Sequence, residues 1–266
     1  AGSIWRPSSS RRPPRLRAAL AIPRVSSSAR RATSWPRRPC NPAMVAAAVP
    51  FTGMAYGILS GAHDYRVRRK TVYLPNLPAS FDGITIGQLS DIHSGSFFDR
   101  KSVMGGIELF NIEKPDMVFF TGDLVNNYAW ELRGWEKIFK KLKARKGKYS
   151  ILGNHDYGDY SEWNSSEEKQ ENLEAIKQFY KDIDSKLLLN EGEVITNNSD
   201  NISIIGIENW GKPPFKQYGD LQKAMKNVKS IPFKILLSHD PSHWSKEELD
   251  NWGLDNLENY KILTEV

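Results

Sequence analysis

Cysteine is nearly absent from this sequence, since Cys40 is the only one in 266 residues. A single thiol cannot form a disulfide within the chain, so a small scaffold held together by disulfides is excluded. Hydrophobic residues make up 39% of the sequence, which at this length is typical of a globular protein with a substantial core. We therefore expect one large α/β domain with additional segments.

Residues 1–63 lack acidic residues and lysine altogether, although they contain ten arginines. The rest of the chain holds 27 of the 37 basic residues and all 31 acidic residues, a net charge of −4. The formal charge of +6 for the whole chain therefore comes from its N-terminal segment. A nucleic-acid-binding fold carries its basic residues on the folded surface, so we expect no nucleic-acid partner for the domain.

Large hydrophobic residues are scarce in residues 1–39, which are rich in Arg, Ser and Pro. Such a segment cannot bury enough apolar surface to offset the entropy lost on ordering, so we predict a disordered leader. Three other interpretations remain open: an organellar transit peptide, a basic arm for anionic lipid or nucleic acid, and a leader joined to an unrelated coding region.

Residues 40–63 form a hydrophobic segment, and positions 43–62 carry no charged residue. About 20 apolar residues are needed to cross a hydrocarbon core of ~30 Å, so this segment is a candidate transmembrane helix and we expect membrane association. Pro50 and the many Ala and Gly residues favour the alternative of a loosely packed N-terminal helix. Basic residues on both sides leave the orientation open.

From residue 64 onward, strand-like and helix-like patterns alternate. This alternation predicts right-handed βαβ crossovers and a sheet covered by helices, with one antiparallel pair formed by 193–196 and 202–207. The apolar spacing predicts strands at 70–77 and 84–91 and from Met117, Tyr149, Leu187 and Phe233, and helices at 101–111, 130–143, 167–185, 219–228 and 243–251.

Residues able to bind metals follow four of the strand-like runs. Asp91 and Asp123 are 32 positions apart and Asp123 and Asn154 are 31 apart, which is one βαβ unit in each case. Because the carboxyl ends of parallel strands meet at one edge of a sheet, we expect these side chains to lie side by side. The four motifs are Asp91-Ile92-His93, Gly122-Asp123, Gly153-Asn154-His155-Asp156 and Ser238-His239-Asp240.

Carboxylates, an amide oxygen and imidazoles together favour a pair of divalent ions such as Mn, Fe or Zn over Ca or Mg, which prefer oxygen ligands. Two such ions about 3.5–4 Å apart can share a carboxylate and promote in-line displacement at phosphorus. An Asp-x-His, Gly-Asp or His-Asp motif alone is more often a turn or a solvated strand end. Their occurrence together, in this order and after four strands, indicates a dinuclear hydrolytic site.

The same motifs resemble the successive blocks of the calcineurin-like metallophosphoesterases over roughly residues 72–245. The phrases QLSDIHSGSF and LGNHDYG resemble the membrane-associated bacterial phosphodiesterase-like branch of that superfamily. The resemblance implies an α/β sandwich of mixed β-sheets flanked by helices, and hydrolysis of a phosphodiester or pyrophosphate bond. Some members of the branch act on a lipid-linked substrate, UDP-diacylglucosamine, which the resemblance makes a candidate here.

The resemblance also implies a role for each residue at the strand ends. His155 would contact the phosphate and protonate the leaving oxygen, and Asp156 would orient an imidazole. The implied metal ligands are Asp91 and His93 for one ion, Asn154 and His239 for the other, and Asp123 bridging both.

The sequence departs from the family pattern at two places. Asn126 stands where many members have a second Asp, a change that we expect to be tolerated. The family's final Gly-His-x-His block does not occur after His239, where His243 is the only later histidine. We therefore expect the domain at 64–266 to be C-terminally truncated, with weak metal occupancy and poor activity. The alternative is a non-catalytic remnant that serves as a binding module.

Overall fold

The computed structural model describes residues 15–21, 42–59, 61, 64–211, 213, 216–241 and 260–263. The helix expected at 243–251 lies outside these ranges. The helices are α1 (Pro42–Leu59), α2 (Arg100–Ile112), α3 (Glu136–Phe139), α4 (Ser166–Asp182) and α5 (Leu221–Met225). The strands are β1 (Arg15–Ala21), β2 (Val67–Tyr73), β3 (Thr85–Leu89), β4 (Met117–Thr121), β5 (Lys148–Ile151), β6 (Lys186–Leu187), β7 (Glu191–Asn197), β8 (Asp200–Gly206), β9 (Lys234–Leu237) and β10 (Tyr260–Leu263).

The strands of the described residues form two sheets. The first has the order β2-β1-β3-β4-β5-β6, and its strands β3 to β6 are parallel. The second has the order β10-β9-β8-β7, in which β7 and β8 form an antiparallel hairpin and β8, β9 and β10 are parallel. The expected α/β fold with mixed sheets and the expected hairpin are both confirmed.

Both sheets are covered on their outer faces and packed together on their inner faces. Successive side chains of a strand point to opposite sides. In β4, Met117 and Phe119 belong to a core shared with the second sheet, whereas Val118 and Phe120 belong to a core shared with α2, α3 and α4. A third cluster packs α5 on the outer face of the second sheet. The domain is therefore a four-layer sandwich of helices, sheet, sheet and helix.

The helix predicted at 130–143 is wrong. Residues 129–132 form a 3-10 turn, Gly134 has a φ of +79°, and helical geometry resumes only in α3. A right-handed helix cannot continue through a positive φ, and a Cβ on Gly134 would come within 2.6 Å of Arg100 Nη2. The apolar residues that suggested the helix are nevertheless buried in the core, namely Leu132, Trp135, Ile138, Phe139 and Leu142.

The N-terminal segment differs from the expected disordered leader in one stretch. The strand β1 lies between β2 and β3, antiparallel to the first and parallel to the second. Its sequence RLRAALA contains neither Pro nor Ser, so its backbone N–H and C=O groups can pair on both sides. This corrects the expectation of disorder for residues 15–21, and the other positions of 1–39 lie outside the described residues.

The hydrophobic segment contains α1, with Pro50 inside the helix. Its apolar side chains at Val49, Phe51, Met54 and Tyr56 are exposed. Among the described residues, no helix combines the length and the apolar character needed to cross a membrane.

Candidate metal centre

The candidate ligands come together at the carboxyl edge of the first sheet. The strands β3, β4 and β5 are parallel neighbours, and each is followed by a loop that carries one of the motifs. Backbone hydrogen bonds join the first two loops, because the N–H groups of Asp91 and His93 donate to the carbonyls of Gly122 and Asp123 at 3.1 and 3.0 Å. The strand ends therefore lie side by side, as the βαβ spacing predicted.

Three of the candidate ligands have a left-handed backbone. The φ angle is +51° at Asp91, +44° at His93 and +53° at Asp123. This conformation is uncommon for residues other than glycine, and it costs about 1–3 kcal/mol per residue where the surrounding structure imposes it. Such strain at three residues of one cluster is typical of a functional site.

Two glycines allow the loops after β4 and β5 to touch. A Cβ on Gly153 would lie 2.2 Å from Asp123 Oδ1, and a Cβ on Gly122 would lie 2.6 Å from the backbone N of Gly153. The close approach lets the N–H of His155 donate to Asp123 Oδ1 at 2.9 Å. Larger residues at either glycine would separate the loops, so the glycines of these motifs serve the geometry of the site.

His239 enters the centre from the second sheet, directly after β9. Its Nδ1 donates to the Thr121 carbonyl at 2.9 Å. Its Nε2 lies 3.0 Å from Asn154 Oδ1 and 3.5 Å from Asp123 Oδ2. Because the carbonyl can only accept, Nδ1 carries a proton and Nε2 is the nitrogen that can bind an ion.

Two groups of possible ligand atoms share Asp123. One group contains His93, Asp123 and His155, the other contains Asp91, Asp123 and His239, and the atoms of each group lie within 4.8 Å of one another. Asp123 therefore occupies the position that a bridging carboxylate needs. The grouping differs from the expectation in one respect, since His93 lies with His155 and Asp91 lies with His239.

The residues of this cluster fit divalent ions. Asp91 Oδ2 and His93 Nδ1 are buried and have no hydrogen-bond partner among the described residues. Buried polar atoms are nearly always hydrogen-bonded, so orphaned atoms within a group of carboxylates and imidazoles are typical of a cation site. Carboxylate oxygen and imidazole nitrogen form the donor set that suits Mn, Fe and Zn.

Asp123 and His239 shift each other's pKa. Burial alone would raise the pKa of Asp123, but contacts with His239 and His155 outweigh burial and lower that pKa. Burial alone would lower the pKa of His239, but Asp123 and the Thr121 carbonyl outweigh burial and raise that pKa to about 9. In the absence of an ion, a protonated imidazole therefore pairs with the shared carboxylate, and metal binding has to displace its proton.

Neighbours outside the predicted site hold His155 and Asn154 in place. His155 Nδ1 lies 2.6 Å from the carbonyl of Asn126, which places the proton on Nδ1. Asn154 Nδ2 donates to the hydroxyl of Tyr160 at 2.8 Å. Sequence reasoning missed Tyr160 because a tyrosine six positions after a ligand carries no metal-binding signal. The one local indication is Gly158, which has a φ of +63° and turns the chain just before Tyr160.

The role that the resemblance implied for Asp156 is corrected by its hydrogen bonds. No imidazole of the described residues bonds to its fully buried carboxylate, which accepts the backbone N–H groups of Gly153, Leu124 and Val125 at 2.9, 2.8 and 3.2 Å. Burial and the nearby charge of Asp123 raise the pKa of Asp156 to about 7 despite these donors. Asp156 therefore joins the loops after β4 and β5.

The fold and the cluster define a two-sheet α/β protein with a candidate dinuclear metal centre at its strand ends. The family model of the calcineurin-like phosphoesterases matches residues 84–263. Because this match covers more than half of the chain, the chain belongs to the calcineurin-like phosphoesterase family, which confirms the resemblance.

Relatives share this domain over part of their length. A Danio rerio protein named as a transmembrane protein with metallophosphoesterase domain is 28% identical over 73% of this chain and 43% of its own length. An uncharacterized metallophosphoesterase of Bacillus subtilis is 33% identical over 41% of this chain and 38% of its own length. The chain thus spans about two fifths of the length of several curated relatives. Among solved structures, the NAD nucleotidase of Haemophilus influenzae covers 68% of this chain and 38% of its own, with 16% identity and a TM-score of 0.42.

Proposed function

We propose that this chain hydrolyses a phosphodiester or pyrophosphate bond at a dinuclear centre of Mn, Fe or Zn ions. The observation that carries the proposal is the position of Asp123, whose carboxylate belongs to both groups of ligand atoms. This assignment follows the family resemblance: Asp91 and His93 would bind one ion, and Asn154 and His239 the other. It differs from the grouping by distance, in which Asp91 lies with His239 and His93 lies with His155. The contact of 3.0 Å between Asn154 Oδ1 and His239 Nε2 supports the second set.

The chain's own residues position the substrate and supply a proton. When bound, the two ions lower the pKa of water and neutralise charge on the phosphoryl oxygens. In its imidazolium form, with Nδ1–H held by the Asn126 carbonyl, His155 would give its Nε2 proton to the leaving oxygen and remain as the neutral ring with its proton on Nδ1. Its ring meets the ring of His93 edge-on at 4.9 Å between centroids, which puts this proton donor beside the ligands.

Hydrolysis of bis(p-nitrophenyl) phosphate with and without added Mn²⁺ tests the proposal. Asp123→Asn keeps the size of the side chain and removes its charge, so metal-stimulated hydrolysis should be abolished. Asp182→Asn, at an exposed position of α4, is the matched control and should hydrolyse the substrate like the wild type. Unchanged rates in Asp123→Asn would refute the assigned centre.

Metal occupancy separates this proposal from its rival, a non-catalytic binding module. Gly-His-x-His does not follow His239 in these 266 residues, so we expect this stretch of chain, tested by itself, to bind the ions weakly. Metal analysis of the purified chain measures this directly. Two tightly held equivalents with clear turnover would contradict weak occupancy, whereas no turnover at saturating Mn²⁺ would favour the rival.

We also propose that the substrate is lipid-linked, such as UDP-diacylglucosamine, and that the protein associates with a membrane. The exposed apolar side chains of α1 support this proposal, as do the names of two relatives described as transmembrane proteins with a metallophosphoesterase domain. Flotation with phosphatidylglycerol-containing vesicles tests the association. Deleting residues 42–59 should reduce binding, and equal binding without them would contradict a role for α1.

A further inference from the structure

Tyr160 lies outside the strand-end motifs but contacts two of their residues. Its hydroxyl is 2.8 Å from Nδ2 of Asn154, and its ring centroid is 4.8 Å from that of His155, with 48° between the ring planes. The side chain is nevertheless 47% exposed. A ring with this exposure adds little to the hydrophobic core, so its contacts point to a role in the site rather than in packing.

The hydroxyl influences which atom of Asn154 faces the centre. A side-chain amide has one acceptor oxygen and one NH₂ group, and only the oxygen can bind a cation. Nδ2 is directed to Tyr160, while Oδ1 lies 3.0 Å from Nε2 of His239. The observed orientation, with Nδ2 donating to the Tyr160 hydroxyl and Oδ1 facing His239, is therefore the one that a metal ligand needs.

The loop that carries Tyr160 is itself held in place. Gly158 turns the chain with a φ of +63°, and the indole N–H of Trp163 donates to the Gly158 carbonyl at 2.7 Å. A Cβ on Gly158 would come within 2.7 Å of the Trp163 ring. Asp159 accepts from the hydroxyl of Tyr218 at 2.8 Å and forms ion pairs with two lysines. Both sides of Tyr160 are therefore anchored.

We propose that Tyr160 is a positioning residue for the reaction at this centre. Its hydroxyl holds Asn154 with Oδ1 toward the metals, and its ring limits the rotation of the His155 imidazole, which the Asn126 carbonyl already holds at Nδ1. The inference rests on the proposed phosphoesterase function. It assigns a tyrosine outside the family's metal-binding blocks to both ion binding and proton transfer.

Tyr218 provides a matched control within the same part of the structure. Its hydroxyl donates to Asp159, and its ring stacks on Tyr157 at 4.0 Å. Tyr218→Phe removes the same group as Tyr160→Phe, a tyrosine hydroxyl that is hydrogen-bonded to a polar side chain. Asn154 is not among its contacts in the described residues, so a loss confined to Tyr160→Phe cannot be attributed to general loosening of the loop.

Calorimetric titration of the full chain with Mn²⁺ is the first measurement. Removing a group that orients a metal ligand typically weakens metal binding about 10- to 100-fold, which is the loss expected for Tyr160→Phe. Tyr218→Phe should leave the affinity unchanged. In an Asn154→Ala background, Tyr160→Phe should cause no additional loss, because the hydroxyl acts through Asn154.

Two further readouts separate positioning from stability. In the metal-free chain, the side-chain amide protons of Asn154 should exchange faster in Tyr160→Phe than in the wild type or Tyr218→Phe, as seen by NMR. Tyr160→Leu removes the ring as well, so kcat at saturating Mn²⁺ should fall through loss of the His155 orientation. Tyr160→Phe retains the ring, so its kcat at saturating Mn²⁺ should be higher than that of Tyr160→Leu and close to that of the wild type. Its affinity for Mn²⁺ should nevertheless remain below that of the wild type.

The outcomes distinguish this inference from the function on which it rests. Equal Mn²⁺ affinity in the wild type and Tyr160→Phe, or an equal loss in the Asn154→Ala background, would overturn the role of the hydroxyl and leave the phosphoesterase proposal standing. Equal kcat in Tyr160→Leu and Tyr160→Phe would overturn the role of the ring. A wild-type chain that binds no Mn²⁺ would overturn the dinuclear centre, and the role of Tyr160 with it.

Discussion

The imidazole of His239 donates from the end of β9 in the second sheet to the carbonyl of Thr121 at the end of β4 in the first, at 2.9 Å. The same ring places Nε2 3.5 Å from Asp123 Oδ2. The candidate centre is therefore formed by both sheets together. It depends on closure of the sandwich and not on one sheet edge alone.

Mn²⁺ binding is expected to release a proton from His239. Its pairing with Asp123 raises the imidazole pKa from 6.5 to about 9, and an ion can bind only the neutral ring. Metal affinity should therefore increase as the pH rises from 6.5 to 9. Calorimetry in buffers with different ionisation enthalpies counts the protons released, and His239→Gln should reduce that count. Undiminished release in the variant would contradict the assignment.

The same ion pair should stabilise the metal-free fold at low pH. A histidine whose pKa is raised by folding contributes its full stability below its unfolded pKa and loses it as the pH rises through the folded pKa. For His239 that window runs from 6.5 to about 9, and the pKa difference corresponds to about 3 kcal/mol at most. Urea unfolding in EDTA at both ends of the window measures the free energy of unfolding. A similar pH dependence in His239→Gln would assign the effect to other groups.

Gly153→Ala is expected to disrupt the centre, because the added Cβ would lie 2.2 Å from Asp123 Oδ1 and 2.5 Å from its backbone N. Inserting a methyl group into a packed site typically costs about 1–3 kcal/mol, and here it would also displace the shared carboxylate. Gly105→Ala is the matched control, since its Cβ would meet nothing within 4 Å. Alanine should stabilise α2 at that position by about 0.5–1 kcal/mol.

Urea unfolding and Mn²⁺ titration of both glycine variants check this expectation. Gly153→Ala should lose stability and metal affinity together, whereas Gly105→Ala should retain its affinity and gain stability. Wild-type Mn²⁺ affinity in Gly153→Ala would mean that the loops after β4 and β5 can separate without harm to the centre.

The convergence of the motif residues could be predicted from sequence because it depends on strand order and spacing. Asp91, Asp123 and Asn154 each follow a short apolar strand, and separations of 31 and 32 residues are long enough for one crossover helix. Parallel pairing then brings the three strand ends to one edge. His239 carries no such spacing signal, and its expected place came from its position directly after the strand-like run that begins at Phe233.

The details of the loops could not be predicted, because they depend on backbone conformations that the residue types alone do not determine. The left-handed φ angles of Asp91, His93 and Asp123 belong to residues that usually avoid that region. Every residue has a backbone carbonyl, so the sequence could not identify the carbonyl of Asn126 as the hydrogen-bond partner of His155. The incorrect prediction of a helix at 130–143 shows the same limit. The apolar residues of that pattern are buried as expected, but the sequence did not indicate the turn at Gly134.

Asp156→Asn is expected to destabilise the fold even though it removes a buried charge. Asp156 Oδ1 accepts the backbone N–H groups of Leu124 and Val125, and Oδ2 accepts that of Gly153. An amide has only one acceptor oxygen, so its NH₂ group would face an N–H donor at a cost of about 1–3 kcal/mol. Urea unfolding in EDTA measures the loss, and Asp182→Asn on the exposed face of α4 should show none.

The difference in stability between Asp156→Asn and the wild type should also depend on pH. Burial and Asp123 raise the Asp156 pKa from 3.8 to about 7 in the folded chain. The folded state therefore holds this proton more tightly than the unfolded state, and the metal-free wild type should lose stability as the pH rises through this interval. An asparagine side chain cannot titrate, so the variant lacks this contribution. The difference between its free energy of unfolding and the higher one of the wild type should therefore narrow between about pH 4 and pH 7. A deficit that widens instead would show that the three backbone donors, and not burial, dominate the ionisation of Asp156.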